Sequence, residues 1–200
     1  HEREAAEEIF RTKVVFAYEH LPAWLKKEFP LEKKTATELV FAHNGATIRV
    51  ATSMRSGTIH RLHVSELGKI AAKYPFKARE VLTGSIPAVP ASGVLVVEST
   101  AEGQDGAFYD LAQIAKETAD SGRTLSEKDY RFHFFSWWDA DEYELDPDLV
   151  VITDQDHEYF RRVESIIGRP ISMRKRAWYV ATRRADFADE APLMWQEYPS

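Results

Sequence analysis

Two short stretches of this chain carry residue types suited to chemistry. Ser65-Glu66 closes the run Ile59-His-Arg-Leu-His-Val64, and Glu98-Ser99-Thr100 closes the run Val94-Leu-Val-Val97. Both runs read as β-strands. In an open α/β sheet, ligands bind outside the carboxyl ends of the strands, so polar residues leaving two such strands are site candidates. A carboxylate at such a strand end can orient and polarise the water that attacks a phosphoryl group, a role worth about 10²–10⁴ in rate. The same residues also describe a solvated glutamate at a strand end and an ordinary strand-to-helix connection with a hydroxyl cap.

The surrounding elements follow from periodicity. Val94 to Val97 is a continuous apolar run, as a strand buried on both faces requires. Ala101 to Gly106 holds two glycines and leads into an amphipathic helix with Phe108, Leu111, Ala112 and Ala115 at helical spacing. Upstream, Ala6, Ile9, Phe10, Lys13, Val14, Ala17 and Leu21 predict a helix over about 2–18, ended by Leu21-Pro22. A short helix follows over 23–28 and stops at Pro30. Two β-rich runs flank Asn44-Gly45, the strongest short hairpin signal. A loop with Arg55 and Gly57 precedes the strand that ends at Ser65-Glu66, and a Gly-containing loop follows it. A helix is expected over 71–82, a turn over 87–92, and an aromatic strand over Tyr130–Trp138 with Phe132, Phe134 and Ser136 on one packed face. Helices are expected over 154–167 and 172–186, separated by Gly168-Arg-Pro170. Alternation of strands and helices implies right-handed crossovers and a parallel sheet with helices on both faces.

Composition bounds the alternatives. Two hundred residues, 44% hydrophobic and 12% aromatic, can bury a sizeable core. There are no cysteines, which excludes disulfides and thiolate zinc sites. No apolar run approaches the roughly 20 residues of a membrane span. The chain opens inside an expected helix, without methionine or signal peptide, and reads as a piece of something longer. The net charge of −6 argues against a general DNA-coating surface. Its distribution is uneven: from Glu158 to Arg184 there are eight basic and two acidic residues, a local +6 that leaves −12 for the remainder. That asymmetry marks the C-terminal third as a distinct unit, whose basic helices read either as a DNA-facing or partner-facing surface or as solvated faces.

His63-Val-Ser-Glu66, followed by Val96-Val-Glu-Ser-Thr-Ala-Glu-Gly103 and Phe108-Tyr109, resembles the large terminase subunit of tailed bacteriophages and prophages, the ATP-driven motor that packages DNA into capsids. Leu21-Pro-Ala-Trp24, the Asn44-Gly45 hairpin, the Arg55-x-Gly57 loop, Trp137-Trp138 and Gln196-Glu-Tyr-Pro199 fall in the same order, so the resemblance covers nearly the whole chain. It implies an α/β fold with a parallel, additional-strand P-loop NTPase (RecA-like) sheet flanked by helices, a β-hairpin insertion and a C-terminal helical subdomain. Residues 1–140 would then be a partial ATPase core and 141–200 a linker subdomain. Glu66 matches the catalytic glutamate. Ser65 stands where many members have a magnesium-binding aspartate, and a serine hydroxyl is a weaker ligand for Mg²⁺. Ser99 and Thr100 match the motif that senses the γ-phosphate and couples hydrolysis to movement. Arg55 lies where the family can present an arginine to a neighbouring subunit's ATP. The implied cofactors are ATP and Mg²⁺. The implied partners are double-stranded DNA, the portal protein, the small terminase subunit and further copies of the chain in a ring. The implied location is the cytoplasm of an infected or lysogenic bacterial host, with no membrane association. The family's phosphate-binding loop, Gly-x-x-x-x-Gly-Lys-Ser/Thr, is not in this chain. In the family it lies upstream, and a nuclease domain lies downstream.

The remaining constellations are less pointed. His60 and His63 are three apart on a strand and so face opposite sides, which disfavours a shared metal. Asp139, Asp141, Glu142 and Glu144 lack the spacing of a calcium loop. Tyr130 to Trp138 has the composition to stack bases, but core packing accounts for it better. Two other functions stand beside the motor: another nucleic-acid-stimulated ATPase of helicase type, and a non-enzymatic module in which the basic helices bind nucleic acid.

Overall fold

The hairpin expected around Asn44-Gly45 forms, closed by the longer loop 42–46 in place of a two-residue turn. Gly45 takes a left-handed backbone (φ +67°), its N–H donates to the Phe41 carbonyl at 2.9 Å, and the Asn44 side chain accepts from the Ala46 N–H. The turn joins β2 (Glu38–Phe41) to β3 (Thr47–Arg49) in antiparallel register, Leu39 opposite Ile48. A strand not anticipated from the sequence, β1 (Leu31–Lys34), pairs with the other edge of β2, giving the order β1-β2-β3. The buried Leu39 packs with Phe10 and Val15 from the N-terminal helical run. That run comprises α1 (Arg3–Ile9), a π-helical segment (Phe10–Val15) and α2 (Phe16–Glu19), close to the expected 2–18. Burying side chains of this size contributes about 1.5–3 kcal/mol each. The short helix α3 (Ala23–Glu28) follows Pro22.

The computed structural model describes residues 3–52 and 57–200. The chain divides into two compact units, His1–Leu62 with Phe76–Val94, and His63–Pro75 with Leu95–Ser200. The expected boundary between residues 140 and 141 falls inside the second unit. Among the described residues the fold is mixed α/β. Its parallel sheet has two strands, β4 (Arg61–Ser65) and β5 (Val94–Glu98).

Several expectations are corrected. The helix expected over 71–82 is α4 (Leu67–Lys73), α5 (Pro75–Glu80) and a π-helical segment (Val81–Ser85). Pro75 disfavours helical backbone at the residue before it, and Tyr74 sits at φ −137°, ψ +65°. The residues after Glu66 therefore form the first turn of α4 rather than a loop. β5 is not buried on both faces: Val94 and Val96 are 47% and 46% exposed. Tyr130–Trp138 is not a strand. Its buried residues are the consecutive Ser136, Trp137 and Trp138, whereas Phe134 and Phe135 are exposed. A strand turns successive side chains to opposite faces, so three consecutive buried residues suit a turn instead, and the Ser136 hydroxyl closes this one by donating to Asp139.

The core of the second unit is aromatic and helical. Trp137, Trp138, Phe160, Val163, Ile171, Tyr179, Val180 and Met194 form one buried cluster. They come from the 136–138 turn, α7 (Asp154–Ile167), α8 (Met173–Asp186) and α9 (Ala191–Glu197). Trp137 packs on Tyr179 at 4.5 Å between centroids, and such pairs add about 0.5–1.5 kcal/mol beyond area burial. α7 opens with a capping box between Thr153 and Asp156. Asp156, 3% exposed, also pairs with Arg183 at 2.9 Å and Arg184 at 3.6 Å. Burial pushes its carboxyl up, but the Thr153 hydrogen bonds and Arg183 outweigh this and leave it below the ordinary value. In the same unit α6 (Gly106–Asp120) packs against α4. No helix among the described residues is long and apolar enough to cross a membrane.

Candidate functional site

The two sequence-predicted stretches leave the carboxyl ends of the parallel strands β4 and β5. Glu66 follows β4 directly, as the N-cap of α4, and takes a left-handed backbone at φ +59°, ψ +41°. For a residue with a Cβ this conformation costs of order 1 kcal/mol, and such costs concentrate at functional sites. The strain fixes the direction in which the side chain leaves the strand. The Ser99 hydroxyl, at the end of β5, lies 3.4 Å from Glu66 Oε2. That distance is long for an O–H···O hydrogen bond, so Ser99 only biases the carboxylate, and no hydrogen bond from the described residues reaches Glu66 Oε1.

Ser99 has a second role. Glu66 makes no side-chain cap on its own helix, and Ser99 Oγ instead accepts from the Gly68 N–H at 3.1 Å. One of the unpaired N–H groups at the start of α4 is thus satisfied from the neighbouring strand. This close approach requires glycine: a Cβ at position 68 would lie 2.8 Å from Ser99 Oγ and 3.2 Å from the Thr100 carbonyl oxygen. Thr100, next in line, buries its hydroxyl with no hydrogen-bond partner among the described residues. Leaving such a group unmet costs about 1–3 kcal/mol.

Around these residues lies a charged network. Lys69 Nζ is 3.3 Å from Glu197 on α9 and 3.8 Å from Glu66 Oε2. Burial pulls the Lys69 ammonium down, but Glu66, Glu197 and Glu102 together hold it above its ordinary value. Gln196, also on α9, donates to Glu102 at 2.8 Å. His63 and Glu98, facing each other across the two strands, are 3.4 Å apart.

The structure thus brings Glu66 and Ser99 into contact and puts Thr100 beside them in sequence. Ser65 ends β4 with an exposed side chain. Arg55 lies outside the described residues. Among the described residues no three His, Asp or Glu side chains converge as a metal site. Gly68 and Lys69 were not singled out from the sequence, and Gln196 and Glu197 were named only within the closing motif, with no role at the site. A glycine two residues past a candidate carboxylate was the available signal for the first; nothing local pointed to the contacts of α9.

The basic C-terminal helices read differently in three dimensions. Arg169 and Arg174 pair with Asp139 and Glu144 of the acidic turn. Arg176 pairs with Glu164, Arg183 with Asp156 and Asp189, and Lys175 donates to the Ala140 carbonyl. Much of the local positive charge is thus paired inside the unit, while Arg161 and Arg162 on α7 are exposed. Compared with known proteins, the chain matches no family model, no curated protein and no solved structure.

Proposed function

We propose that this chain is the part of a terminase large subunit that carries the hydrolytic carboxylate and the coupling motif of an ATP-driven DNA-packaging motor, together with its linker subdomain. The observation that carries the reading is Glu66: a carboxylate in a strained left-handed conformation at the carboxyl end of a parallel strand, biased through one oxygen by the hydroxyl that leaves the next strand. A general base needs that placement and an unengaged oxygen. Glu66 Oε1 orients a water and accepts its proton, while Ser99 biases the carboxylate through Oε2. The buried Thr100 hydroxyl has no acceptor among the described residues and could donate to a phosphate oxygen. ATP with Mg²⁺ supplies the transferable phosphoryl group and neutralises its charge. Ser65, whose side chain is exposed, would be the residue to offer a hydroxyl to the metal, a poor substitute for a carboxylate. The phosphate cradle lies outside this chain, and in an assembled ring Arg55 of one copy would serve the nucleotide of the next. Double-stranded DNA, portal protein and small subunit are the partners of that motor, within the cytoplasm of a bacterial host. The internal pairing of the α7 and α8 charges gives a nucleic-acid-binding module less support than a hydrolase.

The test is ATP turnover by the complete protein, with its phosphate-binding loop. Glu66→Gln should lower kcat by about 10²–10⁴ with nucleotide affinity retained. Turnover that survives this substitution contradicts the reading. The 200-residue chain alone should hydrolyse ATP negligibly.

A further inference from the structure

The last helix reaches the candidate base through a single ammonium. α9 is anchored by Met194, which is fully buried, and its next two polar residues turn toward the strand ends. Gln196 donates to Glu102, and Glu197 lies 3.3 Å from Lys69 Nζ. The same ammonium is 3.8 Å from Glu66 Oε2, the oxygen that also faces Ser99. Lys69 sits one turn along α4 from Glu66, where residues three apart share a face. Two carboxylates, from Glu66 and Glu197, therefore share one ammonium, which lies nearer to Glu197.

We propose that Lys69 is a positioning residue shared between Glu66 and α9, and that docked α9, through Glu197, holds the ammonium off the catalytic carboxylate. This rests on the hydrolase reading of Glu66. An ammonium hydrogen-bonded to Glu66 occupies the carboxylate and displaces the water that it must orient. With Glu197 in place, Lys69 leans away and Glu66 stays available. When α9 is displaced, Lys69 closes onto Glu66 and hydrolysis stops. The C-terminal end of this chain thereby gates the base at the strand end. Lys69 is about one-third exposed, and pairs so open to solvent contribute little to stability. The device accordingly acts on turnover and leaves folding nearly untouched.

The prediction is an epistasis with a defined sign. In the complete protein, Glu197→Gln should lower kcat about tenfold or more with KM unchanged, because the freed ammonium blocks the base. Lys69→Met serves as the reference background, in which no ammonium remains for Glu197 to hold. Lys69→Met with Glu197→Gln should return to the level of Lys69→Met alone. An equal loss from Glu197→Gln in both backgrounds would mean that Glu197 merely anchors α9, and no loss in either would remove it from the mechanism; both overturn the proposal. A second measurement needs no turnover. A crystal structure of the Glu197→Gln chain should show Lys69 Nζ within hydrogen-bond distance of Glu66, and an ammonium that stays where it is overturns the proposal. If Glu66→Gln leaves turnover unchanged, the hydrolase reading fails, and the crystallographic arm still decides whether the ammonium is shared.

Discussion

The helical part of the second unit and the exits of β4 and β5 hold their charged groups differently. Around α7 and α8, Asp156 is capped by Thr153 and paired with two arginines, and Arg176 meets Glu164 with little exposure of either. At the strand ends, Glu66 holds a left-handed backbone, Thr100 buries a hydroxyl without a partner among the described residues, and the Ser99 contact to Glu66 is long at 3.4 Å. The first region spends its charges on folding. The second gathers conformational and desolvation cost beside one carboxylate, whereas in the helical part such cost is scattered over Ala188, Asp189 and the Trp137 indole nitrogen. Proteins accept such costs where geometry must serve chemistry, and relieving them commonly trades activity for stability.

That contrast can be broken most forcefully in the helical region. Asp156→Ala removes a cap and leaves Arg183 and Arg184 without a buried partner, and should cost about 3 kcal/mol in denaturant unfolding, with the strand-end geometry unchanged. The Asp156 carboxyl is held below its ordinary value in the folded chain. Its contribution is therefore complete above the unfolded carboxyl value, about 4, and is lost as pH falls through the folded value. The stability gap between wild type and Asp156→Ala should accordingly close on acidification below about pH 4, and a gap that persists there would contradict the assignment. Next in size is Gly68→Ala, which drives a methyl group into Ser99 and the Thr100 carbonyl; about 1–3 kcal/mol should be lost, with turnover falling in parallel. Smallest, and opposite in sign, is Thr100→Val. Removing an unpartnered buried hydroxyl should raise stability by roughly 1 kcal/mol while impairing ATP turnover in the complete protein. A destabilised valine variant would show that the hydroxyl is satisfied after all.

How much of this was legible follows the physics of each region. Asn44-Gly45 declared its hairpin because few other residues tolerate that turn. The helices over 154–167 and 172–186 declared themselves by periodicity and by the Gly168-Arg-Pro170 break. Glu66 and Ser99 were readable as strand-exit residues, since strand ends in sequence are strand ends in space. Three matters were not readable. The aromatic run 130–138 alternates convincingly, yet Trp137 and Trp138 are buried side by side in a turn. The apolar run 94–97 suggested a doubly covered strand, but how many neighbours a strand acquires is a tertiary outcome. The basic third looked like a surface for an anionic partner, whereas Arg169 and Arg174 find the acidic turn some thirty residues upstream. The contacts of Glu197 and Gln196 are of the same kind, set by where α9 docks rather than by any local pattern.

The central claim, that the strain at the end of β4 serves hydrolysis, is tested most directly by Glu66→Gly. Glycine tolerates the left-handed backbone and is a better N-cap than glutamate. It should therefore stabilise the chain by about 1 kcal/mol, or roughly 2–4 °C in Tm, while ATP turnover in the complete protein falls by about 10² or more. A variant that gains stability and keeps its turnover would contradict the account and reduce Glu66 to a strained but idle residue at a strand end.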